Sequence, residues 1–453
     1  MRTRSAVPAA LLTITLACLL AGCSGGSPIL ANPAAPRPSV PARTDAPVAI
    51  ADPLPVVLPR DDGPHDRLTE WWYYTGHLRA ANGDRYGFED VIFRAERGAF
   101  PTSWVSHLAV TDERGQRFLY SQRLEVGPQV DRSPLGPDGQ PTGFDLALTG
   151  ADPSDATTLG RSAWTIAGSN GSDHLSAALT AAEATAAGSP GGLGLDLAMT
   201  ATKPPALHDH DGWIDFGAAG GSYYYSRTAL TATGTLTVDG APMAVEGTAW
   251  FDHQWGDFIS IGGGGWDWFA VNLADGTDLA LSLVRDADGS YPLVYGTLVA
   301  RDGSVRHLER SAFSVTVTDH WRSPISGADY PAGWTIALPA EGLTIGLRPS
   351  VAAQELDTRG TTGVIYWEGS QVVTATGPGG TRMGGEAYVE LTGYGAADAG
   401  VADAGTAEAG TADGAGVGGT SGARPAAATI PAAVARSGGS LASSVDIRKP
   451  AAR

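Results

Sequence analysis

One short aromatic segment carries a carboxyl group among bulky rings, and it reads Glu70-Trp71-Trp72-Tyr73-Tyr74. Alternate residues of an extended strand share a face, so Glu70 would align with Trp72 and Tyr74. A carboxyl group that points into an aromatic-lined cavity could donate a proton to an apolar ligand. Glu70 is therefore a candidate catalytic acid, and Trp72 and Tyr74 are candidate ligand-binding residues.

A second segment, Phe251-Asp252-His253-Gln254-Trp255, adds an imidazole and another carboxyl group. The same alternation aligns His253 with Phe251 and Trp255, and Asp252 lies beside them. Imidazole and carboxyl groups are the usual general acids and bases of enzymes. The sequence thus indicates Asp252 and His253 as further catalytic candidates and Trp255 as a ligand contact.

A structural role would explain the same residues. Trp and Tyr are common in β-sheet cores, and a buried Glu70 or His253 could bond to backbone groups or pair with an arginine such as Arg94. Composition alone favours this structural interpretation over the catalytic one.

The run His208-Asp209-His210-Asp211 contains the imidazole and carboxylate groups that bind transition metals. Adjacent residues of one strand or loop rarely all reach a single ion, so a solvated loop is the favoured interpretation. We predict no metal site and no cofactor.

The elements that must position these residues are strands. Alternating or β-branched stretches recur, for example 104–110, 279–284 and 387–391, and helical periodicity is weak, with 175–187 as its best candidate. Two-residue turn signals typical of hairpins stand between such stretches, at Asn82-Gly83, Asp239-Gly240, Asp275-Gly276, Asp288-Gly289 and Asp302-Gly303. These patterns predict an all-β, antiparallel protein.

The strand-rich part of the chain is too long for one ordinary barrel, so two β domains are expected. The run Gly262-Gly263-Gly264-Gly265 favours a boundary at about 258–265, with domains over 54–257 and 258–395. The tail, 396–453, is rich in Ala and Gly and has few large side chains, so we expect it to be disordered.

The N-terminus has the pattern of a lipoprotein signal. Leu11–Leu20 is an apolar run too short to span a bilayer, and it leads into Leu20-Ala21-Gly22-Cys23. We expect removal of 1–22, acylation of Cys23, and a flexible Pro-rich stalk over 23–53. The protein would then be extracytoplasmic, anchored to the cell membrane or outer membrane. The alternative is an ordinary cleaved signal in which Cys23 is incidental.

Charge and cysteine content limit the partners. The net charge of -18 and the lack of a basic stripe argue against nucleic acid. The other cysteine, Cys18, lies in the signal segment, so the mature chain would contain no disulfide. The expected partners are an apolar small molecule and, through the lipid anchor, a membrane.

Several motifs, in register over about 55–395, resemble one known family. They are Leu58-Pro59-Arg60-Asp61-Asp62-Gly63-Pro64-His65, Glu70-Trp71-Trp72-Tyr73, Ser106-His107-Leu108-Ala109-Val110-Thr111-Asp112, Ala249-Trp250-Phe251-Asp252-His253-Gln254-Trp255-Gly256, Trp266-Asp267-Trp268-Phe269, and Tyr366-Trp367-Glu368-Gly369 with Gly385–Tyr394. The chain resembles the lipocalin-like family that contains carotenoid 1,2-hydratase (hydroxyneurosporene synthase) and the AttH proteins. This resemblance implies two lipocalin-like β-barrel or sandwich domains.

The resemblance also implies a chemistry. Hydratases of this family add water across a terminal trisubstituted alkene of a long isoprenoid without a redox cofactor. A buried acid supplies the proton, and aromatic faces stabilise the tertiary cation. His253 and Trp255 match the family's functional segment. The shared motifs add His107, Trp268 and Tyr366 to the candidate ligand-binding residues.

One strand departs from the hydratase pattern. The strand after Trp266-Asp267-Trp268 resembles one that carries a substrate-facing Tyr and Asp in the hydratases, but here Leu279-Ala280-Leu281-Ser282-Leu283-Val284 has neither. Three functions stay open: a cofactor-independent hydratase, a non-catalytic binder of an isoprenoid or lipid, and a structural envelope lipoprotein, which would have no cavity.

Overall fold

The computed structural model describes residues 52–152, 154–155, 158–258 and 264–395. The predicted signal peptide, Cys23, nearly all of the predicted stalk and the predicted tail lie outside these ranges. Within the described ranges, no helix has the length and apolar character needed to cross a bilayer.

Two antiparallel sheets make up the described chain. The strands of the first sheet are β1 (Thr69–Ala80), β2 (Arg85–Ala95), β3 (Ser103–Asp112), β4 (Arg117–Val126), β5 (Phe144–Leu148), β6 (Trp164–Ser169), β7 (Ser172–Ala178), β8 (Leu193–Ala201), β9 (Ala206–Leu207), β10 (Trp213–Asp215), β11 (Gly221–Val238) and β12 (Ala241–Gly256). They pair in the order β4-β3-β2-β1-β12-β11-β8-β7-β6-β5, with β9 and β10 beside β11. We call the part of the chain that forms this sheet the first domain.

The second domain contains the remaining strands. They are β13 (Gly265–Leu273), β14 (Asp278–Arg285), β15 (Leu293–Val299), β16 (Val305–Glu309), β17 (Ser314–Arg322), β18 (Asp329–Leu338), β19 (Leu343–Pro349), β20 (Glu355–Asp357), β21 (Ile365–Thr376), β22 (Arg382–Met383) and β23 (Gly385–Leu391). Their order is β16-β15-β14-β13-β23-β21-β19-β18-β17, with β20 and β22 beside β21.

Helical structure is sparse among the described residues. One α-helix, α1, spans Ala181–Ala186 and begins with a capping box between Thr180 and Glu183. The short 3-10 turns are Arg60–Asp62, Pro128–Val130, Gly217–Ala219, Arg310–Ala312, Pro339–Glu341 and Pro378–Gly380. The all-β class is therefore confirmed. The best helical candidate from the sequence, 175–187, is helical only in its second half, and its first residues belong to β7, from which Leu175 packs into the first core.

Each sheet curls around its own apolar core. In the first domain, a backbone bridge between Asp131 and Leu146 connects the segment after β4 with β5, which brings the two ends of the sheet together. Trp72, Trp104 and Trp164 fill that interior. In the second domain, Phe269, Trp334 and Trp367 form the corresponding core. Aromatic side chains thus contribute the largest single residues to both cores, among a majority of aliphatic side chains.

The predicted hairpin turns are confirmed. Each predicted turn joins two paired strands, and its glycine has a positive φ that other residues rarely adopt. These glycines are Gly83 (88°), Gly240 (76°), Gly276 (87°), Gly289 (80°) and Gly303 (84°).

The two domains pack face to face. In β1, Trp72 and Tyr74 point into the first core, whereas Trp71 and Tyr73 point out toward the second domain. β13, β21 and β23 supply the opposing face of the second domain. Alternation along β1 and β12 therefore separates two environments, the barrel interior and the domain interface.

Candidate functional site

Three ionisable side chains meet inside the first domain. Oε1 of Glu70 lies 2.7 Å from Nδ1 of His65 and 2.9 Å from Nε2 of His253. Burial by itself would raise the pKa of Glu70, but the charge of His65 and the hydrogen bonds from both imidazoles hold that pKa at about 2. Glu70 is therefore a carboxylate that positions two imidazole rings.

The pKa values of the two imidazoles are shifted in opposite directions by their surroundings. Burial lowers the pKa of His65, but Glu70 and Asp61 outweigh it and raise that pKa above its ordinary value. The pKa of His253 is lowered, because burial outweighs the hydrogen bond to Glu70. The single carboxylate of Glu70 therefore contacts one imidazole whose pKa is raised and one whose pKa is lowered.

Aromatic rings surround this cluster. His65 stacks on Trp255 with ring centroids 4.1 Å apart, and Trp72 lies 4.8 Å from the ring of His253. Tyr74 donates to Asp173 at 3.0 Å. The structure thus brings together five predicted site residues, and they are Glu70, Trp72, Tyr74, His253 and Trp255.

Arg94, which the structural interpretation offered as one example of a partner for Glu70, does not pair with it. It contacts Glu96 and Asp66 instead, and its guanidinium group lies 5.7 Å from the centre of the Trp104 ring. The histidines, which sequence reasoning did not consider as partners of Glu70, take that place.

A cavity lies on the other side of the sheet, between the two domains. Its empty volume is about 860 Å³, including the part open to solvent, and the space that the centres of water-sized spheres can occupy is about 90 Å³. From the first domain it is lined by Trp71, Tyr73, Phe93, Phe216, Tyr224, Asp252, Gln254 and Phe258. From the second domain it is lined by Trp266, Trp268, Ser282, Val284, Tyr295 and Glu390.

Asp252 is the carboxyl group that the first domain contributes to this cavity. It accepts hydrogen bonds from the hydroxyl group of Ser226, the indole N–H of Trp250 at 2.7 Å and the hydroxyl group of Tyr224 at 2.9 Å. Burial raises the pKa of Asp252 to about 7, although these three hydrogen bonds favour the charged form. Both protonation states of Asp252 are therefore accessible near neutral pH.

Glu390 is the carboxyl group on the second-domain side. It accepts the indole N–H of Trp266 at 2.9 Å. Burial, together with the nearby charge of Asp252, raises the pKa of Glu390 to about 7. Among the described residues, neither carboxyl group has an arginine or lysine partner that would hold it ionised. The cavity therefore has a carboxyl group with a raised pKa on each wall.

Further acids lie at the domain interface. Tyr73 donates to Glu368, and Tyr366 donates to Glu89 at 2.7 Å. Burial raises the pKa of Glu89 to about 8 and the pKa of Glu368 well above its usual range. His107 lies 2.7 Å from the hydroxyl group of Tyr366. Two predicted ligand-binding residues, His107 and Tyr366, thus contact each other at the interface rather than lining the cavity.

β14 contains the strand segment on which the hydratase resemblance implies a substrate-facing Tyr and Asp. Leu279, Leu281 and Leu283 point into the second core, so Ser282 and Val284 face the cavity. Within Leu279–Val284, the two residues that face the cavity are therefore a serine and a valine, and neither is a Tyr or an Asp. Of the predicted site residues, Asp252 and Trp268 line this cavity.

Sequence reasoning did not select His65, Glu89, Glu368 or Glu390 as site residues. The sequence does contain a pattern that points to Glu368 and Glu390. Glu368 is two residues from Tyr366, and Glu390 is two residues from Tyr388, so each acid shares a strand face with an aromatic residue in an otherwise apolar segment. Carboxyl groups in such strands are costly to bury unless they are neutral or paired.

The fold and the cavity together define a tandem lipocalin-like β protein with an apolar site between its domains. The sequence model of the AttH-like family matches residues 49–394, and the chain belongs to this family. Both the predicted family and the predicted tandem fold are confirmed.

Two solved structures show the same architecture. An AttH protein of Nitrosomonas europaea is 27% identical, with a TM-score of 0.63 over 77% of this chain and 99% of its own. Kievitone hydratase of Nectria haematococca is 15% identical, with a TM-score of 0.52 over 75% of this chain and 93% of its own. At 15% identity, the similarity to kievitone hydratase shows a shared fold and nothing about activity. Among curated proteins, no sequence matches this chain significantly.

Proposed function

We propose that the interdomain cavity binds an extended apolar molecule, an isoprenoid or lipid, and that Asp252 and Glu390 exchange protons with it. The observation that carries this proposal is the pair of carboxyl groups with pKa values of about 7 in an aromatic-lined cavity. A general acid is most effective when its pKa lies near the working pH. A cavity of this kind is also what a ligand-binding role requires and a purely structural role does not.

The reaction that this arrangement supports is hydration of an alkene without a cofactor. One carboxylic acid transfers its proton to a carbon of the double bond, which leaves a tertiary cation on the neighbouring carbon. The faces of Trp71, Trp266 and Trp268 stabilise that cation. Water then forms the C–O bond and passes a proton to the second carboxylate. Proton exchange between the two acids restores the starting state.

Turnover in heavy-oxygen water tests this proposal. Farnesol, which has a terminal trisubstituted alkene, serves as the probe, and mass spectrometry detects incorporated oxygen. Asp252→Asn and Glu390→Gln should each lower the rate by about a hundred- to ten-thousand-fold, as for loss of a general acid or base. Asp173→Asn is the matched control, because Asp173 is also buried with a pKa raised to about 6 but bonds to Tyr74 inside the first domain.

A non-catalytic binder is the second candidate. Ser282 and Val284 favour it, because they are the residues of β14 that face the cavity, and the hydratase resemblance implies a Tyr and an Asp on this strand. Farnesol binding without heavy-oxygen incorporation by the wild type would support the binder and exclude the hydratase for this probe. Neither binding nor turnover of farnesol or longer isoprenoids would overturn both candidates.

We also propose that the protein acts at the cell envelope, tethered through an acylated Cys23. The lipoprotein signal at Leu20-Ala21-Gly22-Cys23 supports this location. A tether at the membrane surface would place the cavity near the apolar molecules that it is proposed to bind.

A further inference from the structure

Metal-ligating side chains from the two domains meet at one edge of the interface. The loop between β9 and β10 carries Asp209 and His210, and β16 carries His307. One ligand atom from each of these three residues lies within 4.8 Å of the others. We propose that Asp209, His210 and His307 bind a divalent transition-metal ion such as Zn²⁺, which joins the first domain to the second.

The distances suit metal coordination better than direct hydrogen bonding. Nε2 of His307 lies 3.5 Å from Oδ1 of Asp209 and 3.5 Å from Oε1 of Glu309. That separation is too long for a strong hydrogen bond. Two ligands bound to one tetrahedral zinc ion at about 2.0–2.1 Å are separated by about 3.3 Å. An ion could therefore be accommodated with small side-chain movements, and Glu309 is available as a further ligand.

A neighbouring histidine holds the loop in place without competing for the ion. Nδ1 of His208 lies 2.8 Å from the hydroxyl oxygen of Thr297, and Nε2 lies 2.7 Å from that of Ser226. Both ring nitrogens are thus already bonded. Because Thr297 belongs to the second domain and Ser226 to the first, His208 fixes the loop against both domains.

The ligand types and their exposure select the class of ion. Two imidazoles and a carboxylate favour Zn²⁺, Co²⁺ or Ni²⁺ over the oxygen-preferring Mg²⁺ and Ca²⁺. His210 is exposed, so an ion can enter from solvent, whereas the His307 side chain is 7% exposed. Nδ1 of His307 has no hydrogen-bond partner among the described residues, so this ring is free of competing bonds on that side.

The interior cluster of His65, Glu70 and His253 offers the same ligand types but a poorer site. Its nitrogen-to-oxygen distances of 2.7 and 2.9 Å are those of direct hydrogen bonds. An ion could enter only by breaking both bonds and moving packed aromatic rings apart. The site of Asp209, His210 and His307 is therefore the better candidate for binding an ion.

Metal binding by the mature chain, after treatment with a chelator, tests the site without any substrate. Calorimetric titration with zinc chloride should give one ion per chain, and zinc should raise the melting temperature, since binding to the folded state stabilises it. His210→Ala and His307→Gln should each weaken zinc binding by at least about tenfold. Loss of an outer-shell partner typically weakens metal binding by about tenfold or more, and loss of a direct ligand should have at least as large an effect. They should also remove the increase in melting temperature.

His174→Ala is the matched control, because His174 forms a single exposed pair with Asp196, 3.1 Å away. It should bind zinc as the wild type does. His210 is exposed, so His210→Ala should fold like the wild type. This variant therefore tests the site even if His307→Gln is destabilised. Unchanged zinc binding by His210→Ala would overturn the proposal. Loss of binding in Glu70→Gln but not in His210→Ala would also overturn it and locate the ion in the interior cluster.

Discussion

Asp252 and His253 are consecutive residues of β12, but their side chains enter different environments on opposite faces of the sheet. Asp252 lines the cavity between the domains, and His253 lies 2.9 Å from Glu70 inside the first domain. Two residues that sequence reasoning paired as catalytic candidates are therefore separated by the sheet itself. The catalytic roles of Glu70 and His253 stay predictions. The contacts of Glu70 in the structure suggest a variant that distinguishes a structural role from a catalytic one.

Glu70→Gln should lower the free energy of unfolding by about 3 kcal/mol, because it removes the carboxylate that pairs with two imidazoles inside the first domain. Urea denaturation at neutral pH measures the change. Glu246→Gln, at an exposed position of β12, is the control and should stay within about 0.5 kcal/mol of the wild type. A Glu70→Gln protein that keeps its stability but loses farnesol turnover would instead assign Glu70 to catalysis.

Trp268→Ala should weaken farnesol binding by about 1 to 3 kcal/mol, because its ring forms part of the cavity wall. Isothermal titration calorimetry measures the affinity. Trp321→Ala, on β17 and away from the cavity lining, should bind farnesol like the wild type. Equal affinities for the two variants would place the ligand elsewhere.

The stability of the protein should fall as the pH rises from about 7 to about 9. The pKa of Glu89 is raised to about 8 in the folded protein, above its ordinary value of 4.5, so the folded state keeps a proton that the unfolded state has released. This stabilisation is complete below the unfolded pKa and is lost as the pH rises through about 8. The pKa values of Asp252 and Glu390, raised to about 7, act in the same direction, but most of their contribution is already lost by pH 7.

Glu89→Gln should therefore reduce the pH dependence of the unfolding free energy. Denaturation at both pH values, compared with the exposed Glu246→Gln variant, measures the difference. An identical slope for Glu89→Gln and the wild type would show that Glu89 is not held neutral in the folded protein.

Cys23→Ser should yield an unprocessed or soluble protein, because the thiol is the expected site of acylation. Metabolic labelling with a fatty acid should mark the wild type and leave the variant unlabelled. Incorporation of label by Cys23→Ser would contradict the lipoprotein assignment. The test concerns only the tether, so its outcome does not affect the cavity or the metal site.

Local sequence was sufficient for the strands, the turns and the grouping of residues on strand faces. Asn82-Gly83 and Asp239-Gly240 predicted hairpins, because glycine readily adopts the positive φ that such turns need. Alternation correctly placed Glu70, Trp72 and Tyr74 together. These features depend on neighbours within a few residues, so they can be read from the chain alone.

Only the tertiary structure decided what each strand face packs against. A period of two shows that Asp252 and His253 point in opposite directions, but it does not show which direction leads to the core and which to the second domain. The packing of the two sheets makes Glu390 a cavity acid and brings His307 to the loop of Asp209 and His210. Such contacts join residues far apart in sequence, and they depend on how two separately formed cores fit together rather than on any local pattern.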